Sequence, residues 1–317
     1  MMTAAVLPSP DAAERKSDRD WERKQRVALD AAIRDIGPAE LRSPLMRRIH
    51  SDKFVTEESI ARLVGRLERY NLDAESKLVD IGCSTAGASL YISERLSATL
   101  YGLDIDSTAL ARARQRVRNF DLANQPLFDC ASFEASWLEP EVADAVISID
   151  ALHMAPRPHA ALSEIHRILA PRGTLLFNVY VGEDDPNASV WVRHIEAAGF
   201  AMLDIDDQTE HWRWVMNTKH RACIEAAPFL ERRFGTLVAP TLAISRTMLG
   251  LDYGPCVIDS TRRVELVARK PLVAPTQTAC PTALGSAPNP LPAAPHQRLL
   301  PRSRHARVRA KRESHAD

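Results

Sequence analysis

The residues best suited to chemistry stand in two short runs. The first, Leu78-Val-Asp-Ile-Gly-Cys-Ser-Thr-Ala-Gly-Ala-Ser-Leu90, reads as an apolar strand that runs into small residues and then a helix. The second, Leu100-Tyr-Gly-Leu-Asp-Ile-Asp-Ser107, is another apolar strand, and it ends in an acid. A small-residue turn after a strand lets a ligand approach the backbone, and the helix that follows points free N–H groups at it. An acid one βα unit later can accept hydrogen bonds from ribose hydroxyls. The pair reads as a nucleoside-binding site on an open α/β sheet.

Such a site needs strands and helices in alternation, and the chain supplies them. Strands are expected over residues 77–81, 99–104, 125–129, 143–149, 174–180, 200–205 and 263–268. Helices are expected over 88–95, from the Ser107 cap to Arg118, over 160–169 and over 190–198. The fold class is therefore α/β: a doubly wound, mostly parallel seven-stranded sheet with helices on both faces. Ahead of it, residues 21–76 read as a helical cap. Leu29, Ile33 and Ile36 follow helical spacing, with Trp21 earlier on the same side. Thr56 is a plausible N-cap for a helix over 57–70 with the stripe Ile60, Leu63, Val64 and Leu67. Residues 207–261 interrupt the rhythm as an insertion before the last strand, placed to form a lid or substrate wall. His211 to Ala227 should be an amphipathic helix that Pro228 ends or kinks.

Residues 1–20 are polar, and 272–317 are rich in Pro and Ala and then Arg. Both are expected to be disordered, because such composition cannot bury enough apolar surface to offset chain entropy. The single domain then spans 21–271. The chain has 317 residues, a formal net charge of zero and five scattered cysteines. Zero net charge gives no global signal for nucleic acid, and the cysteines do not form a disulfide framework. No apolar run is long enough to span a bilayer. A cytoplasmic protein is the expectation. The oligomeric state is not legible, and a homodimer stays open. No His/Cys/Asp cluster has metal-binding spacing, so a metal-independent reaction is expected.

The first run resembles motif I of the Rossmann-like (class I) S-adenosylmethionine (SAM) methyltransferases, Asp-x-Gly-x-Gly-x-Gly. Asp80 and Gly82 match it. Ser84 and Ala86 stand where the pattern has glycine, and Gly87 comes one place late. Glycine reaches φ > 0 without a Cβ in the way, so these two replacements imply a tightened site. Two further stretches resemble later motifs of the family: Ala143 to His153, and the helix and turn Ala161 to Phe177, where Arg172 takes a glycine position. The likeness covers about Lys77 to Tyr180 and is collinear over several motifs. NAD binding competes less well, because Gly82-Cys-Ser-Thr-Ala-Gly87 lacks the second glycine of its fingerprint.

The resemblance implies SAM as cofactor and a role for each matching residue. Gly82, Cys83, Ser84 and Ala86 would line the methionine end. Asp80 would fix the loop or meet the amino group. Asp104 would take the ribose hydroxyls, with Ile105 on adenine. Asp129 would face the adenine amino group, with Ala131 or Ser132 nearby. Asp150 and Ala151 would border the sulfonium. For the acceptor side, His153 just after strand four is the candidate base. His50, His211 and His220 are others, and Trp191, Trp212 and Trp214 could shape a pocket. Each of these has an ordinary structural reading as a cap, surface or core residue. Residues 211–220 loosely resemble the insertion of small-molecule methyltransferases of natural-product and choline-type metabolism. The implied reaction is methylation of O, N or C on a small-molecule acceptor, in secondary metabolism such as antibiotic biosynthesis. A relative that keeps the fold but has lost methyl transfer, as a non-catalytic partner or in another SAM-assisted reaction, stays open. So does an RNA methyltransferase, on the basic end alone.

Overall fold

Leu78 and Val79 at the start of the first strand point to opposite faces of the sheet, and both are fully buried. Every central strand repeats this, which requires helices on both sides. The computed structural model describes residues 25–272, apart from 26, 34, 38–41, 50–55 and 253. The expectations for 1–20 and 272–317 lie outside the described residues, save Leu272.

Seven strands form one sheet in the order β3-β2-β1-β4-β5-β7-β6. They are β1 (Lys77–Ile81), β2 (Thr99–Asp104), β3 (Leu127–Cys130), β4 (Ala143–Ser148), β5 (Leu169–Gly182), β6 (Ala201–Asp207) and β7 (Thr261–Arg269). The first five are parallel to one another. β7 slots between β5 and β6, antiparallel to both. The order reverses at β1, whose neighbours are β2 on one side and β4 on the other. Loops leaving the C-terminal ends of these strands diverge there and leave a crevice.

One face of the sheet packs Leu78, Leu100, Ala145 and Ile147 against α3 (Glu57–Arg69), α4 (Gly87–Leu96) and α5 (Ser107–Arg116). The other packs Val79, Val146, Leu175 and Phe177 against α6 (Pro158–Ile168) and α7 (Ser189–Ala197). Thr56 does cap α3, in a reciprocal box with Ser59, and the stripe Ile60, Leu63, Val64 and Leu67 is buried. Arg66, on the same helix, reaches Asp204, Asp206 and Glu265 at 3.0–3.2 Å and so ties α3 to β6 and β7.

The boundaries shift where local chemistry decides them. β3 begins two residues later than expected because Pro126 has no N–H for a ladder. Asp106, not Ser107, caps α5, accepting from Thr108 N at 2.8 Å; α5 ends at Arg116, and a short 3-10 turn follows. The 207–261 stretch is helical: α8 (Thr209–Glu225), α9 (Ala227–Phe234) and α10 (Ala239–Met248). Pro228 opens α9 rather than kinking α8, since the first turn is where a missing N–H costs nothing. Leu29, in the helix α1 over 27–33, packs with Leu230, Phe234, Val238 and Leu242, so the N-terminal helix leans on this helical group. α2 (Pro44–Ile49) lies against α4, with Met46 and Ile49 buried.

Candidate functional site

The turn after β1 is held by main-chain geometry that glycine-like positions make available. Gly82 has φ +76, and a Cβ there would lie 2.5 Å from Ala151 Cβ and 3.2 Å from the Phe133 ring. The loop after β4 therefore packs directly on this glycine. Ser84 and Ala86 also adopt left-handed backbone, with φ 52 and 54. The two positions where the motif has glycine thus keep a glycine's conformation in residues that resist it, at ~1 kcal/mol or more each. Hydrogen bonds hold them there: Ser84 N donates to Asp104 Oδ2 at 2.7 Å, and Ala86 N donates to Cys83 O at 2.9 Å.

Asp104 closes β2. Its second oxygen accepts from Asp106 N at 2.9 Å, so one carboxylate ties together the loops after β1 and β2. Ile105 beside it is 73% exposed. An apolar side chain left bare next to an acid offers a flat ring and a pair of hydroxyls what each needs. Together with the left-handed turn, this fits a nucleoside cofactor. Cys83 is buried in the core beneath the turn, and Asp80 is buried in β1 opposite Gly102 and Ile147. Asp129 pairs with Leu103, one step short of Asp104, and accepts from Cys130 N at 2.9 Å. Cys130 stands level with Asp104. Ala131 N donates to Asp104 O at 3.1 Å, and Ser132 is exposed beyond it.

The end of β4 builds a second, denser group. Asp150 has φ 50, another left-handed position. Its N–H donates to Asn178 Oδ1 at 2.8 Å. Its Oδ1 accepts from Asn178 Nδ2 at 2.5 Å, Tyr180 Oη at 2.8 Å and Arg263 Nε at 3.1 Å. Arg263 also donates to Gln208. Burial works against the Arg263 cation, yet the neighbouring Asp150 charge outweighs it and raises its proton affinity above the ordinary range. Burial, reinforced by the Asp150 charge, pushes the Tyr180 phenol well above its usual value, so it stays a neutral donor. Burial likewise raises Glu265, against the pull of Arg66 and Arg263. The His153 ring stands edge-on to Tyr180 at 4.9 Å between centroids, and Trp212 lies 5.4 Å from Tyr180 on the other side.

The remaining candidates divide by position. His211 lies 3.0 Å from Thr56 Oγ1, so α8 meets the N-terminus of α3. His220 is buried, with Nδ1 3.0 Å from Ser245 Oγ, joining α8 to α10. Trp191 packs edge-on to Phe177 in the core, and Trp214 is 45% exposed. Of the three tryptophans, Trp212 is the one whose ring lies beside Tyr180. His50 lies outside the described residues. Sequence reasoning passed over Tyr180, Arg263, Asn178 and Gln208. One signal was available: Arg262-Arg263-Val-Glu265 places charges inside a strand that otherwise reads as buried, and buried charges require partners. Among the described residues no group of acids, histidines and cysteines could hold a metal ion.

The chain matches the family profile described as "Methyltransferase domain" over residues 79–177. It is 24% identical over 288 residues to the sterol 24-C-methyltransferase ERG6 of Saccharomyces cerevisiae, covering 72% of this chain and 75% of that one. Against the Schizosaccharomyces pombe counterpart the identity is 25%, over 51% of this chain and 50% of the relative. Among solved structures, the [4+2]-cyclase SpnF superposes with a TM-score of 0.58 at 23% identity, over 69% of this chain and 83% of that one. A phosphoethanolamine N-methyltransferase of Haemonchus contortus in complex with S-adenosyl-L-methionine gives 0.57 at 18%, over 75% and 60%. The structural likenesses establish a shared fold.

Proposed function

We propose that the chain is a SAM-dependent methyltransferase of the Rossmann-like class I family, a reading its match to the methyltransferase profile supports, and that it methylates a small, largely apolar metabolite of natural-product type at the C-terminal ends of β1, β2 and β4. The observation that carries this reading is the aromatic wall beyond β4. His153 and Trp212 each stand against the Tyr180 ring, and the helices between β6 and β7 supply Trp212. Rings of this kind offer flat apolar contact to an acceptor. The sterol acceptor in the name of the yeast relative supports the same class. A cytosolic site of action and a homodimer are part of the proposal.

SAM supplies an activated sulfonium methyl. The chain must hold an acceptor in line with it and exclude water. In our reading Asp104 takes the ribose hydroxyls, Ile105 packs on the adenine and Asp129 approaches the ring edge. Gly82, Ser84 and Ala86 give the methionine end close access to backbone, above Cys83 and Asp80. Asp150 borders the reacting centre. Its carboxylate is committed to Arg263, Tyr180 and Asn178, so it shapes the turn rather than moving protons. That leaves His153 as the group that accepts the acceptor's proton, where the acceptor has one to lose. The 207–261 helices act as lid and substrate wall.

The test is an acceptor panel with SAM, containing a sterol, a phenol, an amine and an alkene, read by S-adenosylhomocysteine release. Turnover of one acceptor class, falling by about 10²-fold or more in His153→Ala with SAM affinity unchanged, supports the assignment. SAM binding without turnover of any acceptor favours the reading in which methyl transfer has been lost.

A further inference from the structure

The geometry points to a second binding site, at the opposite ends of the central strands, for a small phosphate monoester that carries hydroxyls. The end of α3, the starts of β1 and β4, the turn within β5 and the end of β7 enclose a cavity of about 350 Å³. That volume suits a small metabolite. Its charged walls are two arginines, Arg172 and Arg269, and one acid, Asp144. Asp144 Oδ2 already accepts from Lys77 N at 2.8 Å. The arginines therefore dominate the field, and the carboxylate remains as an acceptor for a hydroxyl.

Two features of the arginines call for a ligand. Arg269 Nε is buried and has no hydrogen-bond partner among the described residues. Its guanidinium stands over the Tyr70 ring, 5.5 Å from the centroid, a contact that does not give Nε an acceptor. A buried donor of this kind is costly unless an acceptor reaches it, and a phosphate oxygen is the acceptor that guanidinium geometry matches best. Arg172 sits at φ 69, where glycine is at ease and arginine is strained. Its backbone is pinned, since Arg172 N donates to Lys270 O at 2.9 Å and Lys270 N donates to Gly173 O at 3.0 Å. Strain kept at a position that glycine would relieve points to a use for the side chain. Both arginines line the same cavity, with Tyr70 beside them.

Ribose 5-phosphate, inorganic phosphate and ribose serve as probes in calorimetry and thermal unfolding of the full chain. Ribose 5-phosphate is expected to bind saturably and raise the unfolding temperature, phosphate to do so more weakly, and ribose not at all. Affinity should fall at least tenfold in Arg269→Gln and in Arg172→Gly, and stay unchanged in Asp104→Ala. Arg172→Gly removes the left-handed strain, so without ligand it should unfold at or above the wild-type temperature; lost binding in it is then not a folding failure. Three results would overturn the site: no saturable binding of either phosphate, equal binding in both arginine variants, or loss of binding in Asp104→Ala, which would move it to the cofactor end.

Discussion

Asp150 combines a left-handed backbone with a buried carboxylate, and each is tolerable only because of the other's partners. Asn178 holds its N–H and one oxygen, while Arg263 and Tyr180 share that oxygen. Removing one side of a buried ion pair leaves an uncompensated charge, which typically costs ~3–5 kcal/mol. Arg263→Met should therefore lower unfolding free energy by about that amount in urea denaturation, and Asp150→Asn by less, because the amide still accepts from Tyr180. Equal small losses in both variants would show that the ion pair is solvated. Tyr180→Phe removes a donor to Asp150 but keeps the ring beside His153. It should cost about 1 kcal/mol of stability and leave the edge contact intact. The strain at Ser84 is similar in kind, with Asp104 as its partner.

Among the elements, α2 docks on the loop after β1 through the absence of a side chain. A Cβ on Gly87 would lie 1.7 Å from Ile49 O, and Arg116 Nη1 spans Ile49 O at 2.6 Å and Thr85 Oγ1 at 3.1 Å. Gly87→Ala should push α2 off the start of α4, at a cost of ~1–3 kcal/mol. Limited proteolysis would detect this as faster cleavage before residue 57, with the sheet left resistant. Unchanged cleavage would mean that α2 shifts without undocking. Strand and helix order was legible because apolar runs and 3.6-residue stripes follow directly from burial on one or both faces. Thr56 was legible as a cap for the same local reason. What escaped was long-range: β5 starts at Leu169 because Leu169 pairs with Ala143, which no local pattern announces. Asp104 and His153 could be singled out from strand ends, whereas Tyr180 meets Asp150 only once β5 pairs with β4, and Arg263 only once β7 inserts beside β5.

Across the whole molecule, the two faces of the sheet carry different kinds of support. The face behind β4 is tied by Glu164, which accepts from Ser136 N at 2.8 Å and from Arg167 Nε and Nη2 at 2.8 Å each. The Arg167 hydrogen bond, outweighing burial, holds the Glu164 carboxyl down from its usual 4.5 to about 2. A carboxylate depressed in the folded state contributes stability above its unfolded value and loses it as pH falls through its folded value. Acid unfolding should therefore steepen between pH 4.5 and about 2, and Glu164→Gln should flatten that part of the profile. The same slope in both proteins would assign the acid transition elsewhere. The opposite ends of the strands, with Arg172 and Arg269, lie away from the loops after β1 and β2, so a ligand there would add stability without competing with SAM.

In our proposal the turn after β1 and the acid closing β2 form the nucleoside site. Calorimetric titration of SAM and S-adenosylhomocysteine into the wild type and Asp104→Ala tests it most directly. The account predicts saturable binding of both by the wild type and a loss of at least about tenfold in the variant, the weight of charge-assisted hydrogen bonds. Equal affinity in the two proteins, or no binding by the wild type, would contradict it.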